Sequence, residues 1–152
     1  FKIVHLCKAE EKVYFNCQTA KGSKTISVCG SKELSKKKGY LKYRFGTPDK
    51  VEMEFPAKKR NSVNQFYFAH YSRYQTDYSL LSFTNKNFKY AVFKNYDESQ
   101  KPKTSSGVMI TTSDQNEKSI VCKNELVFEL NKLEGIVACD PDDALTMGQC
   151  KK

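Results

Sequence analysis

Apolar and polar residues alternate along most of this chain with a period of two. In the segment EKVYFNCQ, Val13, Phe15 and Cys17 share one face of an extended chain, while Tyr14 and Asn16 share the other. The same alternation recurs in KTISVC, GYLKYRF and KVEMEF. A period of two is typical of antiparallel strands that place one face on the core and the other in water.

Further segments of the same kind follow at short intervals. They are NQFYFAHYSRY, YSLLSF, FKYAVF, GVMITT and KSIVCK, separated by the turn-forming stretches AKGSK, GTPDK and TNKN and by a polar loop at 95–107. We therefore predict an all-β fold in which residues 1–152 form a single domain. The domain would be an antiparallel β-barrel or sandwich of about eight or nine strands.

The last thirty residues have a different pattern. ELVFELNKLEG is compatible with a strand followed by a turn, or with a short helix that ends at Gly135. DPDDALTMG predicts a short helical C-terminal element, with Asp140 as the N-cap, Pro141 as the first helical residue and Gly148 at the end.

The six cysteines are widely spaced, and no Cys-x-x-Cys pair occurs. This pattern favours disulfides formed in an oxidising compartment over a metal site, so we expect a disulfide-stapled fold with no metal and no cofactor. The sequence leaves the pairing open. The cysteines are Cys7, Cys17, Cys29, Cys122, Cys139 and Cys150.

The positive charge is concentrated in one part of the chain. The net charge is +9, and residues 1–103 hold 21 Lys and Arg against 9 Asp and Glu. Such a surface attracts anionic partners, although a solvated lysine-rich surface would explain it as well. Lysine outnumbers arginine 23 to 3, and arginine is preferred for bidentate phosphate recognition, so we do not expect specific nucleic-acid binding.

One lysine run lies between two predicted strands. Lys36, Lys37 and Lys38 precede Tyr40 and Arg44. These five residues are candidates for a binding loop that contacts an anionic glycan or a protein. A hairpin with a solvated tip, anchored by Cys29, is the simpler interpretation.

The chain has no apolar run long enough for a transmembrane segment. It opens with Phe1 rather than Met, which suggests a mature exported chain that has lost its signal peptide. We expect a periplasmic or extracellular location.

The candidates for catalysis are few. The two histidines, His5 and His70, are both expected to be structural. Glu52 and Glu54 point to the same face of one predicted strand, where carboxylates normally serve solubility. We therefore expect no enzymatic activity, with a hydrolase that uses an unrecognised carboxylate pair as an alternative.

An aromatic band between 66 and 78 is the strongest candidate for a binding surface. If Phe66 and Phe68 face the core, the alternation sends Tyr67, Tyr71 and Arg73 outward. Tyrosine and arginine often dominate the binding energy of protein interfaces. Ordinary cross-strand packing of tyrosines is the alternative.

The run from VYFNCQ to VEMEFP, at 13–56, and NKNFKYAVF, at 85–93, resemble a set of small exported bacterial proteins. Their pattern is Phe-x-Cys, then Lys-x-(Ile/Val)-Ser-Val-Cys, then Tyr-Leu-x-Tyr-Arg-Phe-Gly and an acidic strand that ends in proline. The resemblance implies an exported cysteine-containing β-protein and carries no established activity. In size, cysteines and strand content, the chain is also similar to periplasmic lysozyme inhibitors. The +9 charge departs from that similarity, because many lysozymes are basic.

Together these observations predict a non-enzymatic exported binding protein, one form of which would be an inhibitor of a lysozyme-like or other envelope-directed enzyme. The alternative is a basic envelope protein that binds anionic glycan or lipid. The sequence leaves the partner and the oligomeric state open.

Overall fold

The computed structural model describes residues 4–114 and 116–139, and within residues 124–126 it describes the backbone only. The described chain contains ten β-strands. They are β1 (Glu11–Thr19), β2 (Thr25–Ser31), β3 (Leu41–Thr47), β4 (Lys50–Phe55), β5 (Tyr67–Arg73), β6 (Thr76–Asn85), β7 (Phe88–Asp97), β8 (Thr104–Thr111), β9 (Glu117–Phe128) and β10 (Ala138–Cys139).

All ten strands belong to one open sheet with the order β10-β5-β6-β7-β8-β9-β1-β2-β3-β4. Every neighbouring pair is antiparallel except the two-residue β10, which runs parallel to β5. The first part of β9 pairs with β8 and its second part pairs with β1. The long strand β9 thus joins a C-terminal half-sheet, β5–β8 with β10, to an N-terminal half-sheet, β1–β4.

The two half-sheets face each other across an aromatic core. The ring of Tyr43 on β3 lies 5.2 Å from that of Phe83 on β6, and Phe55 on β4 stacks on Phe83 at 4.4 Å. Phe83 also stacks on Tyr90 of β7 at 5.0 Å. Because apolar residues of both half-sheets bury the same core, the open sheet folds over on itself instead of leaving one face in water.

The expectation that every strand has one solvated face is wrong for β1, β2 and β3. Asn16, Ser27 and Arg44 point away from the aromatic core and are nevertheless buried. The N-terminal segment 4–10 lies over this face. Asn16 Nδ2 donates to the Val4 carbonyl at 2.7 Å, and the Leu6 N–H donates to Ser27 Oγ at 3.0 Å.

Two disulfides among the described residues staple these elements. Cys7–Cys29 holds the N-terminal segment against β2, and Cys17–Cys122 joins β1 to β9. Cys139 is also disulfide-bonded, and the described residues contain no free cysteine. The predicted disulfide stapling is therefore confirmed for five cysteines, and Cys150 lies outside the described residues.

The segment ELVFELNKLEG forms the end of a strand followed by a turn. β9 ends at Phe128, and a 3-10 turn follows at Leu130–Leu133, with both leucines buried in the core. The predicted helical element at Asp140, Pro141 and Gly148 lies outside the described residues. Within the described part, no helix has the length and apolar character needed to cross a membrane.

Candidate functional site

In the aromatic band, the alternation predicts the facing of Phe66, Phe68 and Tyr67 correctly, but it places Tyr74 on the Phe66 face, whereas Tyr74 is exposed in the turn. Phe66 and Phe68 are buried in the core, whereas Tyr67, on the opposite face, is 41% exposed. Tyr71 is half-buried and Arg73 is exposed. These two residues lie at the end of β5 that leads into the turn to β6.

Tyr71 and Arg73 form a compact group with Tyr78, and Tyr74 follows Arg73 in the turn; the sequence analysis selected neither Tyr78 nor Tyr74. Tyr71 pairs in register with Tyr78 on β6, with the two rings 6.2 Å apart, and the Arg73 guanidinium lies 6.0 Å from the Tyr71 ring centre. Tyr74, in the turn, is 84% exposed. We call Tyr71, Arg73, Tyr74 and Tyr78 the tyrosine surface.

The tyrosine surface is held in place from β7. The Tyr78 hydroxyl donates to Asp97 Oδ2 at 3.1 Å, and this hydrogen bond raises the pKa of Tyr78. Hydrogen bonds from Ser99 and from Tyr78 lower the pKa of Asp97. Tyr67 is not part of this group: the buried Ala69 separates it from Tyr71, and it lies beside β10.

The predicted lysine loop is fully exposed. Lys36, Lys37 and Lys38 lie in the connection between β2 and β3. Lys38 Nζ forms an ion pair with Glu33 Oε1 at 3.1 Å, and both side chains are solvated. Such a pair contributes little to stability, so the loop remains available to an anionic partner.

A second basic run, which the sequence analysis left out, joins this loop in space. Lys58, Lys59 and Arg60 follow Pro56, and Lys59 Nζ lies 4.6 Å over the ring of Tyr40. The run of three basic residues was the only signal in the sequence that could have identified this segment. Nothing in the local sequence indicates that it lies close to the loop between β2 and β3. We call the joined set the basic end. It comprises Lys32, Lys36, Lys37, Lys38, Lys58, Lys59 and Arg60.

Lys42 on β3 anchors the start of the connection that carries Lys58, Lys59 and Arg60. Its buried Nζ donates to the carbonyls of Pro56 and Ala57 at 2.7 and 2.9 Å. Burial lowers the pKa of Lys42, and the positive charges of Arg44, Lys59 and Lys8 act in the same direction against the opposing effect of Glu54. The lowered pKa therefore reflects burial first and neighbouring cations, of which only Lys59 belongs to the basic end, second.

Two predicted binding residues have structural roles instead. Arg44 is only 3% exposed. It donates to both carboxylate oxygens of Glu11, at 2.7 and 3.1 Å, and to Glu54 at 2.7 Å. The half-buried Tyr40 donates to Glu11 at 2.8 Å. The prediction that Arg44 is an exposed contact residue is wrong because the N-terminal segment covers its strand face.

A groove of about 660 Å³ lies beside β4. Its lining includes Glu52, Met53, Glu54 and Phe55 of β4. The β4–β5 connection, the end of β6 and the β6–β7 turn contribute further lining residues, which include Lys58, Arg60, Asn61, Gln65, Asn85 and Lys86.

The candidate catalytic and metal-ligating groups are engaged with one another. His70 Nε2 lies 2.6 Å from Asp77 Oδ1, and the His5 Nδ1 accepts the Cys7 N–H at 3.0 Å. The ligand atoms of Cys7, Glu11 and Cys29 lie within 4.8 Å of one another. However, the two sulfurs form a disulfide and the carboxylate is bound by Arg44, so these donors are already occupied.

The protein is all-β and disulfide-bonded, and its disulfides indicate a non-cytoplasmic compartment. No model of a known protein family, no curated protein and no solved structure matches this chain.

Proposed function

We propose that this chain is an exported, non-catalytic binding protein that contacts a protein partner through the tyrosine surface. The observation that carries the proposal is the exposure of Tyr74, at 84%, beside the ordered group of Tyr71, Arg73 and Tyr78. Packing in the core does not account for an aromatic side chain that is so exposed. A protein interface would account for it, because tyrosine and arginine residues often dominate the binding energy of interfaces.

The geometry also lowers the entropic cost of binding. Tyr71 and Tyr78 are paired across two strands, and Asp97 holds the Tyr78 hydroxyl. Side chains that are ordered before binding lose less conformational freedom when the partner arrives. A rigid strand pair is therefore a better platform for these anchors than a loop would be.

The disulfides support a periplasmic or extracellular location, because such bonds persist in oxidising compartments. In that setting one specific form of the proposal is an inhibitor of a lysozyme-like or other envelope-directed enzyme. The non-catalytic part of the proposal is supported by the ion pairs of Glu52 and Glu54, the candidate carboxylate pair, with Lys24 and Arg44.

Affinity capture tests the proposal. Immobilised protein is exposed to a periplasmic extract and to host secretions, and the bound proteins are compared with those held by the double variant Tyr71→Ala/Tyr74→Ala. A partner that is held by the wild type and by Phe88→Ala, which removes an exposed aromatic residue elsewhere, but is lost by the double variant supports the proposal. Equal capture by all three proteins contradicts it. A cell-wall lysis assay with a lysozyme tests the inhibitor form.

A second candidate function is the binding of an anionic glycan or lipid at the basic end. The observation that favours it is the Lys59–Tyr40 contact, which brings two exposed basic loops together. This mode would weaken strongly as salt rises, whereas a tyrosine-centred interface would weaken less.

A further inference from the structure

Strand β4 leaves one edge of the sheet open. Among the described strands its only neighbour is β3, and it lies at the end of the strand order. In an antiparallel pair, alternate residues direct their N–H and C=O groups toward the neighbouring strand, and the residues between them direct theirs away. The outer edge of β4 therefore carries backbone donors and acceptors that β3 does not use.

The groove follows this edge and not one face of the sheet. Its wall includes four consecutive residues, Glu52, Met53, Glu54 and Phe55. Successive side chains on a strand point to opposite faces. Four consecutive residues can line one groove only where that groove runs along the strand's side, which is where the unused backbone groups lie.

Other residues that line the groove are suited to a peptide backbone. They include Asn61, Gln65 and Asn85. Each has a side-chain amide with donors and an acceptor, which is the chemistry needed to bond the outward groups of a chain that pairs with β4 on its other edge.

The charges of the groove favour an acidic occupant. Glu52 is paired with Lys24, and Glu54 is paired with Lys42 and with Arg44, which it shares with Glu11, so cations of the chain already balance both carboxylates. Lys58, Arg60 and Lys86 line the same groove, and no described carboxylate forms an ion pair with any of them. The unbalanced charge in the groove is positive.

We propose that this groove receives an extended acidic peptide segment of another protein, which pairs with β4 as an additional strand. Main-chain hydrogen bonds to the edge would supply affinity, and Lys58, Arg60 and Lys86 would select acidic side chains. The proposal does not rest on the tyrosine surface, which lies on β5 and β6, so the two can fail separately.

The test uses the whole protein and the capped peptide (Thr-Glu)₄, with (Thr-Lys)₄ as the charge control. Titration is followed by calorimetry and by the backbone amide shifts in NMR. We expect saturable binding of (Thr-Glu)₄, shifts centred on residues 50–55, and affinity for (Thr-Lys)₄ at least about tenfold weaker. Absence of saturable binding up to about 1 mM, or shifts that leave β4 unchanged, would overturn the proposal.

Two further comparisons separate strand pairing from general attraction. N-methylation of either the threonine or the glutamate nitrogens blocks one edge of the peptide, and at least one of the two modified peptides should bind about tenfold more weakly. If both bind as well as the parent, the edge is not used.

A matched pair of charge reversals locates the site. Arg60→Glu/Lys86→Glu should weaken (Thr-Glu)₄ by about tenfold, while Lys36→Glu/Lys37→Glu, with the same change in net charge outside the groove, should change it by less than about threefold. Equal weakening by both variants would show that overall charge alone attracts the peptide.

Discussion

Arg44 shows how a residue selected for binding can be used to hold the fold together. Its guanidinium is buried, forms a bidentate pair with Glu11 and also bonds Glu54 and the Leu6 carbonyl. Burial opposes ionisation of Glu11, but hydrogen bonds from Arg44, from the Lys8 N–H and from Tyr40 outweigh it and lower its pKa to about 2. The network therefore fixes the N-terminal segment on β1, β2 and β3.

The pH dependence of stability tests this network. The folded pKa of Glu11 is depressed from 4.5 to about 2, so its contribution is present above pH 4.5 and is lost as the pH falls toward 2. The linkage amounts to about 3 kcal/mol in the free energy of unfolding. Urea unfolding of wild type and Glu11→Gln at several pH values measures it.

The variant Glu11→Gln, which cannot titrate at this position, is the control for the pH series. Glu11→Gln should be less stable than wild type by about 3 kcal/mol at pH 6, because it leaves part of the buried Arg44 charge unpaired. The difference should shrink below pH 4 as Glu11 protonates in the wild type. A difference that stays constant from pH 6 to pH 2 would show that Glu11 does not titrate as described.

At the scale of elements, the period-two alternation predicted about eight or nine strands, and each of the nine alternating segments contains a described strand. The turn-forming residues also predicted where strands end. In TNKN, for example, Lys86 and Asn87 form the turn and both have positive φ. The two-residue β10 was not predicted, because it depends on pairing with β5 and not on its own sequence. The all-β, disulfide-stapled class is thus confirmed.

What the alternation could not show is contact between elements distant in sequence. Asn16, Ser27 and Arg44 are polar, so the pattern assigns them to water, and only the N-terminal segment across them buries that face. The facing of Tyr71 and Arg73 was predictable because it depends only on the alternation within one strand. The contact of Lys59 with Tyr40 and the groove beside β4 were not predictable, because they involve elements distant in sequence.

Removing the Cys17–Cys122 disulfide tests how much this bond between β1 and β9 contributes to stability. It closes a loop of 105 residues, so the chain-entropy model assigns it about 4–5 kcal/mol. Removal of a native disulfide typically costs about 2–5 kcal/mol, so the variant Cys17→Ala/Cys122→Ala should lose stability near the upper end of that range in urea unfolding. The corresponding loss for Cys7→Ala/Cys29→Ala should be smaller, since that loop spans only 22 residues. A larger loss of stability for Cys7→Ala/Cys29→Ala than for Cys17→Ala/Cys122→Ala would show that the entropy of the unfolded chain does not determine what the two disulfides contribute.

At the scale of the whole molecule, the candidate surfaces lie on different parts of one folded sheet. The tyrosine surface belongs to the C-terminal half-sheet, and the basic end belongs to the loops that follow β2 and β4 in the N-terminal half-sheet. Because they lie on different strands and loops, each can be altered while the other is left intact.

Binding to dextran sulfate isolates the contribution of the basic end. We expect the affinity to fall steeply between low and physiological salt, and Lys37→Glu/Lys59→Glu to weaken it several-fold at low salt. Lys118→Glu/Lys123→Glu makes the same charge change on exposed lysines of β9 and should have less effect. If both pairs reduce binding equally, the attraction comes from net charge and the basic end is not a site.

The central claim, that the tyrosine surface binds a protein partner, is tested most directly by measuring stability and partner affinity together for Tyr71→Ala/Tyr74→Ala. Both side chains lie outside the core, so we expect the free energy of unfolding to change by less than about 1 kcal/mol. Affinity for the captured partner should fall by about tenfold or more, as expected when an interface loses aromatic anchors. Unchanged affinity in a variant of unchanged stability would contradict the claim, because the tyrosines would then be ordinary sheet surface.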